Sequence, residues 1–116
     1  MSDSTTTVQE LRQRMAEFVA EREWGRFHSP KNLAMGLAVE AGELMEHFLW
    51  LENAQSREVV QDQDKLQAIG EEMADVACYL LALANVLGLD LSTAIVDKLA
   101  KNARKYPAEK YRGRFS

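Results

Sequence analysis

The sequence predicts an all-α protein with a four-helix-bundle-like arrangement. Apolar residues recur at spacings of three and four along most of the chain, and the strict alternation typical of strands is nowhere sustained. The only prolines, Pro30 and Pro107, leave a long interval free for helices. We expect a single domain over residues 1–116, loosely ordered at 1–6 and 108–116. Because 47% of its residues are hydrophobic, we also expect an oligomer.

The first two helices are separated by a short connector. Apolar residues mark one helical face over about residues 7–22, which predicts the first helix. The connector covers 23–29. Ser29 before Pro30 is typical of an N-cap followed by proline at the first helical position, so we expect the second helix over about 30–52.

The second half of the chain contains two more predicted helices. Residues 53–62 are polar and predict a loop, and the third helix follows over about 64–87. Gly88 is expected to stop it. Asp90 can cap a fourth helix over about 91–105. An apolar seam of the kind found between packed helices runs along the third helix through Leu66, Ile69, Met73, Val76, Leu80, Leu83 and Leu87.

Composition and charge exclude several classes of protein. The single cysteine, Cys78, cannot form an internal disulfide. The N-terminus lacks an apolar stretch of signal-peptide type, and no run approaches the ~18 apolar residues of a membrane helix. The net charge of −4 argues weakly against nucleic-acid binding. We therefore expect a cytoplasmic protein without a nucleic-acid or membrane partner.

Acidic residues interrupt the apolar pattern of two helices. On the second helix Glu40 occupies a seam position that the pattern would otherwise give to an apolar residue, and Glu43 lies one turn further along the same flank. On the third helix Glu72 and Asp75 are also three residues apart. If the two helices pack antiparallel along their seams, the four carboxylates meet.

These acids differ from ordinary surface acids in their neighbours. Residues 33–53 contain four glutamates and residues 66–87 contain three acids, but neither segment contains Lys or Arg. Like charges on apolar helices repel and resist desolvation, and a divalent cation compensates them. An all-carboxylate ligand set favours Mg²⁺, with Mn²⁺ as a substitute, over zinc or iron.

Basic residues are concentrated near the end of the chain, over 98–114. Lys98, Lys101 and Lys105 lie at helical spacing, with Asn102 among them. Because Mg²⁺ tends to share its ligand shell with substrate phosphates, this segment is a candidate phosphate contact. The alternative is a solvated basic helix end, which the helix dipole favours.

Aromatic side chains offer a candidate base site. Trp24, Phe27 and His28 lie in the first connector, and Trp50 lies near the end of the second helix. Aromatic faces stack on nucleobases, at roughly 1–3 kcal/mol per base. The alternative is that these rings pack against the end of the bundle.

Four motifs together resemble a known family. They are E-x-x-E at 40–43, E-x-x-D at 72–75, WxxFHxPxN from Trp24 and KxxxNxxKYP from Lys98. This set resembles the all-alpha NTP pyrophosphohydrolases of the MazG type, and in particular their dCTP pyrophosphatase branch. The likeness covers about residues 8–107.

The resemblance implies hydrolysis of a nucleoside triphosphate, dCTP or a modified dCTP, to the monophosphate and pyrophosphate. It also implies dimers or tetramers with sites near subunit interfaces. Another or a broad NTP preference is compatible with the same metal motif, and Met15 stands where some relatives have a polar residue near the base. The implied metal ligands are Glu40, Glu43, Glu72 and Asp75, of which Glu43 and Glu72 are catalytic. The implied phosphate or sugar contacts are Lys98, Asn102, Lys105 and Tyr106. The implied base pocket is lined by Trp24, His28, Trp50 and Tyr79.

Two other classes of function remain open at this point. One is a Mg²⁺–nucleotide binding module without turnover, which the complete set of four carboxylates argues against. The other is a structural helical bundle that pairs with another protein. That second class explains the apolar seam of the third helix but leaves the acid-only segments unexplained.

Overall fold

The computed structural model describes residues 1–114, and in them helices are the only regular secondary structure. The predicted all-α fold class is confirmed, and each of the four expected helices is present. The helices are α1 (Val8–Glu21), α2 (Pro30–Glu46), α3 (Asn53–Arg57), α4 (Gln63–Leu87), α5 (Leu91–Lys105) and α6 (Ala108–Tyr111), with 3-10 turns at Trp24–Phe27 and Glu58–Gln61.

Capping residues fix the helix ends close to the predicted positions. The Ser29 hydroxyl accepts a hydrogen bond from the Asn32 N–H, and Pro30 opens α2 as expected. The carboxylate of Asp90 accepts from the N–H of Thr93 and begins α5. Gly88 has a φ of 66° and ends α4, a left-handed conformation that glycine adopts without steric cost.

The prediction that the second helix extends to residue 52 is wrong. After Glu46 the backbone continues in tighter turns, in which the Leu51 N–H donates to the Phe48 carbonyl. Glu52 then has extended backbone angles because it caps α3, and its N–H donates to the side chain of Gln55 at 2.8 Å. Residues 53–62, expected as a loop, are therefore mostly helical turns.

The core lies between α2 and α4, with α1 packed on α4. Leu33 of α2 and Ile69 of α4 are buried, together with Ala82 and Ala84. The Cα radius of gyration is 17.1 Å, whereas a compact domain of this length has about 13 Å. The chain is thus extended, and much apolar surface remains outside its core.

A reciprocal pair of hydrogen bonds joins α1 to α4. The Arg12 Nε–H donates to the Asn85 Oδ1 at 2.9 Å, and the Asn85 Nδ2–H donates to the Arg12 carbonyl at 3.0 Å. Both bonds are partly buried. Asn85 therefore satisfies one donor and one acceptor of α1 from the end of α4.

We expect Asn85→Ala to lower the free energy of unfolding by about 2 kcal/mol, because two partly buried hydrogen bonds are lost together. Urea unfolding followed by circular dichroism measures the difference. Gln67→Ala is the control, since Gln67 is an exposed residue of α4 that lies outside the contact between Arg12 and Asn85. A loss below about 0.5 kcal/mol would mean that the pair does not hold α1 in place.

The last long helix, α5, leaves α4 at a bend of 103°. In residues 1–114 it packs on no other element to the extent that α1 and α2 pack on α4. Its apolar residues Ile95, Val96 and Leu99 are all exposed, Leu99 by 62%. Within residues 1–114, no single helix is both long enough and apolar enough to cross a membrane. The bent α4–α5 pair has the length and composition of a membrane span when its two helices are taken together.

The segment after Pro107 forms one helical turn, α6, whose Tyr111 ring meets the Tyr106 ring edge-on at 5.3 Å. The sequence predicts loose order for residues 108–116 and for 1–6. Residues 115–116 lie outside the described part of the chain. The expected loose order of both ends therefore stays a prediction.

Candidate metal centre

Helices α2 and α4 bring three of the four predicted acids together. Glu40 and Glu43 are one turn apart on α2, and Glu72 faces them from α4. One carboxylate oxygen of each lies within 4.8 Å of the other two. The E-x-x-E and E-x-x-D segments thus bring three of the four expected carboxylates together.

Two oxygens of this cluster have no hydrogen-bond partner. The Oε2 atoms of Glu40 and Glu72 are shielded from solvent and receive no donor. Desolvated carboxylate oxygens without a donor are unfavourable unless a proton or a cation compensates them. Their all-oxygen chemistry fits a hard divalent cation.

A proton provides part of this compensation in the metal-free protein. The pKa of Glu40 is raised from 4.5 to about 7. The largest cause is the hydrogen bond that protonated Glu40 can donate to Glu72, followed by desolvation; a hydrogen bond and the charge of Glu43, and the charge of Asp75, add to it. Near neutral pH the cluster therefore holds less than its full negative charge.

The raised pKa predicts how stability depends on pH in a chelating buffer. Between pH 4.5 and 7 folded Glu40 binds more proton than unfolded Glu40, so this group's contribution to stability falls as pH rises through that window. We expect the melting temperature of the wild type to fall more steeply from pH 5 to 7 than that of Glu40→Gln, which cannot titrate. Parallel curves for the two proteins would contradict the shift.

Asp75 occupies a different position from the other three acids. It is exposed and does not belong to the group within 4.8 Å. It nevertheless raises the pKa of Glu40 through its charge and lines the same groove. Its role as a metal ligand stays a prediction.

A groove of about 690 Å³ adjoins the acidic cluster between α1, α2 and α4. Glu40 and Asp75 lie on its wall, and so do three of the four predicted base-site residues, namely Trp24, His28 and Tyr79. The same three aromatic residues also line a smaller cavity of about 280 Å³ behind the groove. A single concave surface therefore joins carboxylates to aromatic rings.

Local structure of the first connector holds Trp24 and His28 beside this groove. Glu23 has a φ of 53°, a left-handed conformation uncommon for a residue with a side chain, and turns the chain into the 3-10 turn. The Asn32 Nδ2–H donates to the Phe27 carbonyl at 3.1 Å and ties that turn to α2. The Trp24 ring also packs edge-on against Phe18 of α1.

The remaining predicted residues lie elsewhere. Trp50 is 89% exposed and lines neither cavity. The four predicted phosphate or sugar contacts are on α5 or just after it, and none lines the groove. Lys98, Lys105 and Tyr106 are exposed and Asn102 is half-buried.

Sequence reasoning missed some residues of the groove. Phe18 of α1 and Cys78 of α4 both line the groove, and Cys78 is exposed, although the sequence analysis assigns neither of them to a site. Burial and the charge of Asp75 raise the pKa of the Cys78 thiol. Asn32 and Leu33 line the smaller cavity. Asn32 falls within the WxxFHxPxN motif, which was the signal available for it.

Comparison with known proteins now decides the family. Residues 36–114 match the model of the MazG-like family. The chain belongs to the MazG-like family. The resemblance predicted from the four motifs is confirmed.

The MazG-like chain is similar to dCTP pyrophosphatase 1 of Rattus norvegicus, with 39% identity over 107 residues, 92% of this chain and 63% of the relative. It is also similar to dCTP pyrophosphatase 1 of Homo sapiens, with 40% identity over 102 residues, 88% of this chain and 60% of the relative. The chain thus spans less than two thirds of these curated relatives.

A solved structure agrees with the MazG-like fold. The chain is 33% identical to a pyrophosphatase of Archaeoglobus fulgidus, with a TM-score of 0.78. That match covers 92% of this chain and 98% of the archaeal one. Nearly the whole chain therefore has a counterpart of similar length.

Proposed function

We propose that this chain is a Mg²⁺-dependent nucleoside triphosphate pyrophosphohydrolase that converts dCTP, or a modified dCTP, to the monophosphate and pyrophosphate. One observation carries the proposal: the acidic cluster, which has two shielded and unpartnered carboxylate oxygens, adjoins a groove that Glu40 and Asp75 line together with aromatic residues. Such a site suits a ligand with phosphates at one end and a base at the other. The family and the similar dCTP pyrophosphatases support this assignment.

The acidic cluster would hold the cation. Glu40, Glu43 and Glu72 offer oxygen ligands within reach of one ion, and Asp75 lies near enough to raise the pKa of Glu40. Since neither His nor Cys belongs to this set, Mg²⁺ fits better than zinc, and Mn²⁺ can replace it. When bound, the cation supplies positive charge that offsets the charge of the phosphates in the transition state.

The side chains of the cluster then act on the nucleophile. Glu43 is the exposed member and is the proposed base, and Glu72 orients the reacting groups from α4. The oxygen of a water molecule bonds to the α-phosphorus while its proton passes to Glu43. In line with this attack, the bond from the α-phosphorus to the bridging oxygen breaks and pyrophosphate leaves.

The distance between α5 and the acidic cluster supports a site shared between two copies of the chain. Asp75 lies about 18 Å from the end of α4, and Lys98 lies about 10 Å into α5, which leaves α4 at 103°. Lys98 is therefore roughly 20 Å from Asp75 of its own chain, beyond the reach of one lysine side chain. We propose that Lys98, Asn102, Lys105 and Tyr106 serve the groove of a neighbouring copy.

Exposed apolar surface supports a homodimer or homotetramer. One row of the α4 seam is packed inside the chain at Ile69, Val76 and Leu83. The other row is exposed, including Met73 by 56%. A second copy that covers this row and the apolar face of α5 would remove both from water. We propose that Trp50, which lies outside the groove of its own chain, contributes to the base site of a neighbouring copy.

Two further assignments accompany the proposal. We assign residues 1–116 to one nucleotide pyrophosphohydrolase domain and expect it in the cytoplasm, with no nucleic-acid or membrane partner.

The base preference is proposed only by likeness to the dCTP pyrophosphatases. Another or a broad NTP preference would use the same acids.

A substrate panel tests the activity. The purified chain is incubated with Mg²⁺ and each common or modified NTP, and monophosphate and pyrophosphate are quantified. We expect equal amounts of dCMP and pyrophosphate from dCTP. Binding of Mg²⁺–nucleotide without product would identify a non-catalytic module, and failure with every NTP would refute the proposed activity.

A further inference from the structure

Gly36 of α2 lies directly behind the ring of Tyr79. A Cβ atom built on Gly36 would lie 2.7 Å from Tyr79 Cζ and 2.9 Å from Cδ1, with Cε1 closer still. Real carbon contacts lie near 3.5–4.0 Å. The tyrosine ring therefore occupies space that the side chain of any other residue at position 36 would take.

The position of this ring controls both cavities of the site. Tyr79 lines the groove and the smaller cavity behind it, together with Trp24 and His28. Gly36 lines neither cavity, but its backbone lies against the ring that lines both. We expect a group that pushes the ring away from α2 to displace it within the space that these cavities provide.

We infer that Gly36 is a positioning residue that sets the width of the base site through Tyr79. This inference rests on the proposed function and deepens it. A glycine in the interior of a helix weakens that helix relative to alanine, and Gly36 is in the interior of α2. Because Gly36 has no side chain, the Tyr79 ring has room to lie against the backbone of α2. The space beside Tyr79, Trp24 and His28 then stays wide enough for a planar nucleobase.

The expected effect of Gly36→Ala follows from these distances. To reach an ordinary contact distance from the added Cβ, the Tyr79 ring must move by about 1 Å toward the space where the base is proposed to bind. The atoms nearest to the added Cβ all belong to Tyr79, so we expect Glu40, on the next turn of α2, and the other acids to keep their geometry. We therefore expect KM for the nucleotide to rise about tenfold, with kcat within about threefold of the wild type.

A double-mutant cycle tests whether Gly36 acts through Tyr79. Tyr79→Leu removes the planar ring, so Gly36→Ala in that background should add less than about twofold to KM. Full additivity of the two changes would overturn the inference. So would an unchanged KM in Gly36→Ala alone.

Gly70→Ala is the matched control. Gly70 is a helical glycine of α4, and a Cβ built there meets nothing within 4 Å. Both substitutions improve helix propensity, but only Gly36→Ala should change KM. A similar rise in KM for Gly70→Ala would show that the effect comes from the helix rather than from the ring.

A binding measurement separates this inference from the proposed activity. Calorimetric titration with dCMP does not depend on turnover, and we expect about tenfold weaker binding by Gly36→Ala. If the wild type releases no pyrophosphate, the proposed function fails, and a crystal structure of Gly36→Ala still tests the ring displacement. If the wild type is active and the variant binds dCMP equally well with an unmoved ring, the inference alone fails.

Discussion

Glu72→Gln is expected to lower kcat/KM by roughly a thousandfold, equivalent to about 4 kcal/mol of transition-state stabilisation. Gln has the shape of Glu but no charge, so the cluster loses one anionic ligand while α4 keeps its packing. Steady-state release of pyrophosphate from dCTP measures the loss. Mg²⁺ titration by calorimetry should show correspondingly weaker binding.

The same variant should be at least as stable as the wild type in a chelating buffer. The amide can donate a hydrogen bond to Glu40, and repulsion between two desolvated carboxylates is relieved. Glu71→Gln is the control, because Glu71 is the adjacent exposed acid and does not belong to the cluster. Full activity in Glu72→Gln, or an equal loss in Glu71→Gln, would contradict the assignment.

Lys105→Ala is expected to lower kcat/KM by about a hundredfold, because a charged hydrogen bond to phosphate contributes about 2–3 kcal/mol. Arg104→Ala is the control, since it removes an equal charge from the same helical turn about 100° away around α5. Equal losses in the two variants would mean that only the net charge of α5 matters.

Complementation tests whether Lys105 acts on a neighbouring copy. A mixed dimer of Lys105→Ala and Glu72→Gln chains contains one site with both native residues and one with neither. Refolding equal amounts together should restore about a quarter of wild-type activity if dimers form at random. A mixture as inactive as its parents would place Lys105 and Glu72 in one chain's site.

Much of the fold could be predicted because local signals mark helix ends. Ser29–Pro30, Gly88 and Asp90 each act at the end where the sequence analysis expects them. The early end of α2 was missed because the pair Glu52 and Gln55 caps a new helix, which the polar composition of 53–62 concealed. The cap formed by Glu52 and Gln55 stabilises the start of α3, so α2 ends earlier than its apolar pattern predicts.

The direction of α5 could not be read from the sequence. Apolar residues at helical spacing are typical of a buried face, but this spacing does not say whether the covering surface belongs to the same chain. The 103° bend after Leu87 carries Ile95 and Leu99 away from the core of their own chain. A buried face shared between copies leaves the same pattern as one buried within a chain.

Only part of the candidate site could be predicted from the sequence, because spacing along a helix does not fix how two helices are oriented. Glu40 stands in an apolar seam, so its presence beside α4 could be deduced from spacing alone. Trp50 and Asp75 have the right chemistry and separation in sequence, but their orientation depends on where α2 ends and how α4 is rotated. The contact between Gly36 and Tyr79 joins two helices, and neither helix has a sequence pattern that predicts it.

Anomalous diffraction from a crystal soaked with Mn²⁺ and a slowly hydrolysed nucleotide locates the cation. We predict a peak between Glu40, Glu43 and Glu72, with Asp75 turned toward it and the base against Tyr79. A manganese peak elsewhere, with these carboxylates bare and the nucleotide bound, would contradict it.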